Sequence, residues 1–191
     1  MTDVTQILCQ IESGDPSAAD QLLPLVYEEL RKLAAARLAN EKPGQTLQAT
    51  ALVHEAYLRL LGPDGNTKFE GRGHFFAAAA EAMRRLLVER ARRQKSKRHG
   101  GDWIQVELSE RDLITDGTPD QVLAVDEALN QLSQDDPAAT EVVKLVLYGG
   151  FTVENAGQLL DMSRATAYRH WAYARAWLKT HIASSDSSST K

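Results

Sequence analysis

The sequence predicts an all-α protein. Three observations carry that prediction. First, the long apolar patterns recur with a period near 3.6 residues, as in Leu52, Ala56 and Leu60 or Phe76, Ala80, Met83, Leu87 and Ala91. Second, helix punctuation stands at the segment boundaries. Asp15-Pro16, Pro137, Thr152 and Ser163 mark starts, and Gly100-Gly101 and Gly149-Gly150 mark stops. Third, the alternation Val106-Glu107-Leu108 is too short for a sheet of its own. The expected architecture is two small helical domains joined by an acidic linker, the second containing a helix-turn-helix. The expected bounds are 1–101, a linker over 102–119, a second domain over 120–183 and a disordered tail over 184–191.

At 191 residues the chain has room for one domain or two small ones. Its formal net charge of −4 argues against a protein that coats DNA non-specifically. The charge is unevenly spread. Between residues 84 and 98 stand Arg84, Arg85, Arg90, Arg92, Arg93, Lys95, Lys97 and Arg98 against the single acid Glu89. Between 102 and 141 the acids dominate, and Arg111 is the one base. The lone cysteine, Cys9, excludes an internal disulfide and fits a reducing cytoplasm. No signal peptide opens the sequence, no apolar run is long enough to enter a membrane as a span, and no repeat of fixed period is present. A cytoplasmic location is expected.

The first two elements read as scaffold. Val4, Ile7, Leu8 and Ile11 give a helix over 3–13. Gly14 breaks it, and Asp15 caps a longer helix that runs to about Leu38 with Leu22, Leu25, Val26, Leu30 and Leu33 inward. Glu41 to Gly44 is a turn.

The next helix is predicted over Thr46–Leu61. Leu52, Val53, Ala56 and Leu60 face inward, and His54, Glu55 and Arg59 lie on the other side. Glu55 and Arg59 form an i, i+4 pair worth about 0.2–0.5 kcal/mol. His54-Glu55 lacks the second histidine of a zinc-protease helix, since position 58 is Leu. The histidines at 54, 74, 99, 170 and 181 are scattered, so no metal and no cofactor are expected. No nucleophile, base and acid converge in the sequence either, and an enzyme is not expected.

Gly62 to Gly73 is a glycine-rich loop. No strand precedes it and no nucleotide-binding Lys-Ser/Thr pair follows, so a phosphate loop is not supported. It carries Lys68, Phe69 and Arg72 and ends in His74-Phe75. Aromatics interleaved with bases suit stacking on unpaired bases beside phosphates. Phe69 and Phe75 equally suit plugs in a core. The helix expected from His74 to about Lys95 then buries one stripe and spreads its bases over the rest of its surface, a pattern for phosphate contact with strong salt dependence. Residues 102–120 read as a linker whose acids are either solvated or screen the basic patches. A helix over Asp120–Leu132 follows, with Val122, Val125, Leu129 and Leu132 inward. Another begins at Pro137.

Phe151 to Leu178 reads as a helix, a tight turn and a second helix. Thr152 caps the first, and Phe151 is placed to staple onto Ala156. Gly157 in mid-helix costs about 1 kcal/mol relative to Ala and makes sense where another helix crosses closely. Asp161 tolerates the left-handed conformation of the turn. Ser163 caps the second helix, whose buried face is Ala167, Trp171, Ala174 and Leu178. Arg164, Tyr168 and Arg169 point elsewhere, as in a DNA-reading helix-turn-helix. A plain helical hairpin with a solvated basic face is the alternative.

Three blocks in this order, TLQATALVHEAYLRLL, FEGRGHFFAAAAEAMRRLLVERARR and the closing helix-turn-helix, resemble a bacterial RNA polymerase sigma factor of the sigma-70 family. Within it they resemble the extracytoplasmic-function (ECF) group and its ECF-like subfamily. The resemblance covers residues 1–183 and implies a transcription initiation factor that directs core RNA polymerase to promoter DNA and assists strand opening at the −10 element. By position it implies polymerase binding at His54, Glu55 and Arg59. It implies −10 DNA contacts at Lys68, Phe69, Arg72, His74, Phe75, Arg84, Arg85, Arg92 and Arg93. It implies −35 contacts at Ser163, Arg164, Thr166, Tyr168, Arg169 and His170. An anti-sigma or other regulatory protein is a further partner the resemblance suggests, and membrane insertion is not implied. The sequence departs from the family pattern at Thr50 and His54, where an acid and a Gln are common, at Asp161 in place of the turn glycine, and at Ala156 in place of a branched residue. Trp171 is bulky enough to refill the volume lost at Ala156. A free-standing helix-turn-helix regulator binding an operator as a dimer is the alternative, although no heptad offers a dimer surface.

Overall fold

Helix α1 spans Thr46–Leu61, the bounds the apolar spacing predicts. It is the first of six helices among the described residues of the computed structural model, which are 7, 46–61, 69, 71–97 and 118–188. No strand occurs among them, so the chain is all-α as expected. α2 is Arg72–Lys97, α3 Pro119–Asp135, α4 Pro137–Leu147, α5 Val153–Leu159 and α6 Arg164–Ser188. The predicted helices over 3–13 and 16–38 lie outside the described residues except for Ile7, which is helical and buried. The Gly100-Gly101 stop and the linker over 102–117 also lie outside them.

The local chemistry of each start is visible. Thr118 forms a capping box with Gln121. Its backbone N–H donates to the Gln121 side chain at 2.7 Å, and Pro119 takes the first helical position. The helix expected from Asp120 therefore begins one residue earlier, at Pro119. Asp136 caps α4 by accepting from the Ala139 N–H at 2.9 Å, again with proline next. α4 buries Val142, Val143 and Leu145 completely, as a helix surrounded by others must.

α2 sits at the centre. The predicted stripe is largely buried, with Phe76, Ala80, Met83 and Ala91 inside and Leu87 half-buried. Phe75, Ala79, Leu86 and Val88 are buried as well. The wider arc has a tertiary cause. α1 packs on one side of α2, while α3, α4 and α5 pack on another. The run Ala77 to Ala80 keeps that side narrow, which lets neighbouring helices approach closely. One hydrophobic cluster consequently runs from Tyr57 and Phe69 through Phe76 to Leu129, Val142 and Leu178. α2 thus contacts α1 as well as α3, α4 and α5.

α6 continues to Ser188, into the stretch expected as a tail from 184. Once a helix is nucleated and packed, each added residue gains a hydrogen bond without a new nucleation cost, so polar residues are carried along. Residues 189–191 lie outside the described residues.

Candidate nucleic-acid interface

The helix pair α5–α6 is set by its turn. Thr152 accepts from the Asn155 N–H at 3.1 Å and starts α5. Asp161 has φ 54°, the left-handed conformation anticipated for it. The Met162 N–H donates back to the Gly157 carbonyl at 2.8 Å, and Ser163 accepts from the Thr166 N–H at 3.2 Å to start α6. A Cβ on Gly157 would lie 2.7 Å from the Ala167 Cβ, so the two helices cross where only glycine fits. Phe151 turns its ring onto Phe76 of α2, edge to face at 5.1 Å.

At the start of α6 Arg164, Ala165, Tyr168 and Arg169 are exposed, with exposed Ser163 just before them. Arg164 stands over the Tyr168 ring at 5.7 Å, which holds an aromatic on the surface that is 44% exposed. Thr166 is half-buried, with its hydroxyl 2.9 Å from that of Ser163. His170 is half-buried. Its Nδ1 lies 3.2 Å from Asp136, so it ties α6 to the cap of α4 instead of facing outward with the arginines. Tyr173 was not anticipated. It is 45% exposed and follows Arg169 by one helical turn, a spacing the sequence already contained.

The second basic element is α2. Arg72, His74, Arg85, Arg92 and Arg93 are exposed. Arg72 stands 5.5 Å from the Phe76 ring centroid, and His74 meets the Phe69 ring edge-on at 5.8 Å. Phe69 is 2% exposed and Phe75 is fully buried. Of the two readings of these aromatics, their placement here is that of core plugs, because neither presents a face to a base. Lys68 lies outside the described residues. Arg84 is likewise turned inward. It donates to Glu81 at 2.9 and 3.0 Å, to Asn130 at 3.3 Å and to Asp126.

Glu81 is the hub of that cluster. It receives Arg84, Arg85 at 2.9 Å and Lys144 at 3.3 Å. Burial by itself would raise its pKa. The hydrogen bonds from Arg84 and Arg85 and the charge of Lys144 outweigh burial and lower it from 4.5 to about 2. A carboxyl depressed in the folded state contributes stability above its unfolded value and loses it as pH falls toward the folded value. Wild-type stability should therefore decline between about pH 5 and pH 2, and Glu81→Gln should decline less over that window. Urea unfolding of both proteins at pH 6.5 and 3.5 measures the difference. Equal losses would place the acid sensitivity elsewhere.

On α1, His54, Glu55, Leu58 and Arg59 are exposed. Arg59 bonds Glu55 at 3.0 Å and grips Glu89 of α2 with two bonds, at 2.9 and 3.0 Å. The Glu89 carboxyl is held below its ordinary range by those bonds, and the Arg59 guanidinium is held above its own. Arg59 thus fixes α1 on α2 as well as contributing to the outer face. Leu58, 56% exposed, is the residue sequence reasoning missed. It stands off the 52/56/60 stripe, and that displacement was the available signal.

An all-helical chain with a basic helix and a capped helix pair at its end has the outline of a DNA-dependent regulatory factor. Residues 1–184 match the family model described as ECF sigma factor. The chain belongs to that family, whose members are sigma-70-type transcription initiation factors acting with RNA polymerase at promoter DNA. No curated protein and no solved structure matches the chain. Among the described residues no helix is long and apolar enough to cross a membrane. No group of three or more His, Cys, Asp or Glu among them could hold a metal ion.

Proposed function

We propose that α1 presents its outer face to core RNA polymerase, that α2 runs along DNA at the −10 element and assists its opening, and that the start of α6 reads the −35 element. The observation that carries the reading is the capped start of α6. Arg164, Tyr168 and Arg169 stand exposed behind a left-handed turn, the geometry for placing side chains into a major groove. His54, Glu55, Leu58 and Arg59 suit a protein partner better than DNA. Their charges nearly balance and they surround an exposed leucine. Arg72 and His74 at one end of α2 and Arg92 and Arg93 at the other suit phosphates.

Leu58→Asp tests the polymerase face without disturbing the core. Core-polymerase binding should weaken roughly tenfold or more, because an apolar contact becomes a buried charge without a partner. The melting temperature should stay within about a degree or two, as for most exposed substitutions. Fluorescence anisotropy with labelled protein and core polymerase reads the first quantity, and a thermal melt reads the second. Unchanged polymerase affinity would remove α1 from the interface.

A further inference from the structure

The junction of α3 and α4 is pinned at Asp136. Its backbone N–H donates to the Leu132 carbonyl at 2.8 Å and closes α3. Its own carbonyl accepts from the Thr140 N–H at 3.1 Å and from the buried Thr140 hydroxyl at 3.0 Å. One carboxylate oxygen caps α4 through the Ala139 N–H at 2.9 Å. The other, Oδ2, meets His170 Nδ1 of α6 at 3.2 Å. An ionised carboxylate only accepts, so the proton of this bond sits on Nδ1. The two side chains are 19% and 25% exposed, which limits competition from water.

The rest of the α6 packing is less directional. Its stripe buries Ala167 and Ala174 through single methyl groups, with Leu178 and Ile182 further on. Apolar contacts have no preferred direction and set distance better than rotation. The close approach of Ala167 to Gly157 fixes how near α6 comes to α5. Rotation matters for reading, because Arg164 and Arg169 stand on the same helix as His170. A turn of about 10° moves a side-chain tip about 6 Å from the helix axis by about 1 Å. A paired contact with a guanine tolerates only about half an ångström.

We infer that His170 is a positioning residue for −35 reading. Held by Asp136, it fixes the rotation of α6 that presents Arg164 and Arg169, and it governs base preference without touching a base. This rests on the reading of α6 as the −35 helix. The pinned junction of α3 and α4 supplies the fixed point, and the His170 ring carries that position to the recognition surface.

Holoenzyme assembled from core polymerase and the full chain selects duplexes from a pool of random-sequence DNA. The readout is the ratio of affinities for a selected duplex and for the same duplex with its −35 element scrambled. His170→Ala should lower that ratio roughly tenfold, the worth of about one guanine contact. Asp136→Ser should do the same, because serine keeps the cap of α4 but is too short to hold His170 as well. The double variant should lower the ratio no further, since both substitutions remove the same bond. His170→Asn, whose amide N–H stands as far from Cβ as Nδ1–H does, should keep the ratio within about twofold of wild type. Nitrogen NMR reads the bond itself. At about pH 8, above the ordinary histidine range, Nδ1 should carry a proton in the wild type and a lone pair in Asp136→Ser. A lone pair on Nδ1 in the wild type would overturn the inference. So would effects of His170→Ala and Asp136→Ser that add in the double variant, or a His170→Asn protein as poor as His170→Ala. Arg164→Ala is the control for the helix. If it lowers the ratio and neither His170→Ala nor Asp136→Ser does, α6 reads DNA without this tether and the inference alone fails. If Arg164→Ala also leaves the ratio unchanged, the reading of α6 fails and the inference with it. Should one single variant not fold, the other and His170→Asn still decide the matter.

Discussion

Phe75→Ala is expected to lower the free energy of unfolding by about 3–5 kcal/mol, the range for truncating a buried aromatic. Its ring is fully buried and meets Phe69 at 5.1 Å and Phe76 at 5.3 Å, edge to face in both cases. Phe76 passes the contact on to Phe151. Removing Phe75 opens a cavity at the centre of that row, where α2 meets its neighbours, and backbone relaxation cannot fill it. Arg72→Ala, one turn away but exposed, should cost no more than about 1 kcal/mol of stability, the scale of its contact with the Phe76 ring. Urea denaturation followed by circular dichroism compares the two. A Phe75→Ala protein as stable as wild type, with a defect confined to strand opening, would mean that the ring leaves the core to stack on a base.

Gly157→Val is expected to disable −35 reading while sparing polymerase binding. A side chain at 157 would bring its Cβ to 2.7 Å from the Ala167 Cβ. Ala167 is fully buried, so the clash is relieved only by moving α6 away from α5. Overpacking of this kind costs about 1–3 kcal/mol. Replacing a mid-helix glycine recovers less than about 1 kcal/mol. The net strain falls on the crossing that orients Arg164 and Arg169. Each lost guanine contact is worth about 1–3 kcal/mol of discrimination. Promoter affinity should therefore fall at least tenfold and lose its dependence on the −35 sequence, with core-polymerase affinity unchanged because α1 is remote from the crossing. Gel shifts of holoenzyme on promoters with and without an altered −35 element read this out. Retained −35 preference in Gly157→Val would separate the helix pair from that role.

Much of this was legible in the sequence, for local reasons. The bounds of α1, the caps Thr152 and Ser163, the left-handed Asp161 and the close crossing at Gly157 all follow from chemistry within a few residues of each position. The buried stripes of α2 and α6 follow from periodicity. What escaped the sequence depends on residues far apart in the chain. Arg84 reads as one more exposed base until Asp126, 42 positions later, is placed against it. His170 reads as part of the basic face until Asp136 is found beside it. Phe69 and Phe75 fit two readings because an aromatic beside arginines looks the same whether its ring points in or out. The contact of α2 with α3, α4 and α5 had no signal beyond extra apolar positions on α2, of which Phe75, Ala79 and Leu86 fell outside the expected stripe. The continuation of α6 to Ser188 was hidden by a polar composition that resembles a tail.

The most direct test of the central claim, that this chain directs core polymerase to promoters through α2 and α6, is transcription from a library of genomic fragments with every RNA 5′ end mapped. Core polymerase with the wild-type chain should give new, discrete start sites preceded by two shared elements. Arg164→Ala and Arg169→Ala should relax the upstream element alone. A folded chain that yields no new start sites, or that protects a symmetric operator as a dimer with no polymerase present, would contradict the account.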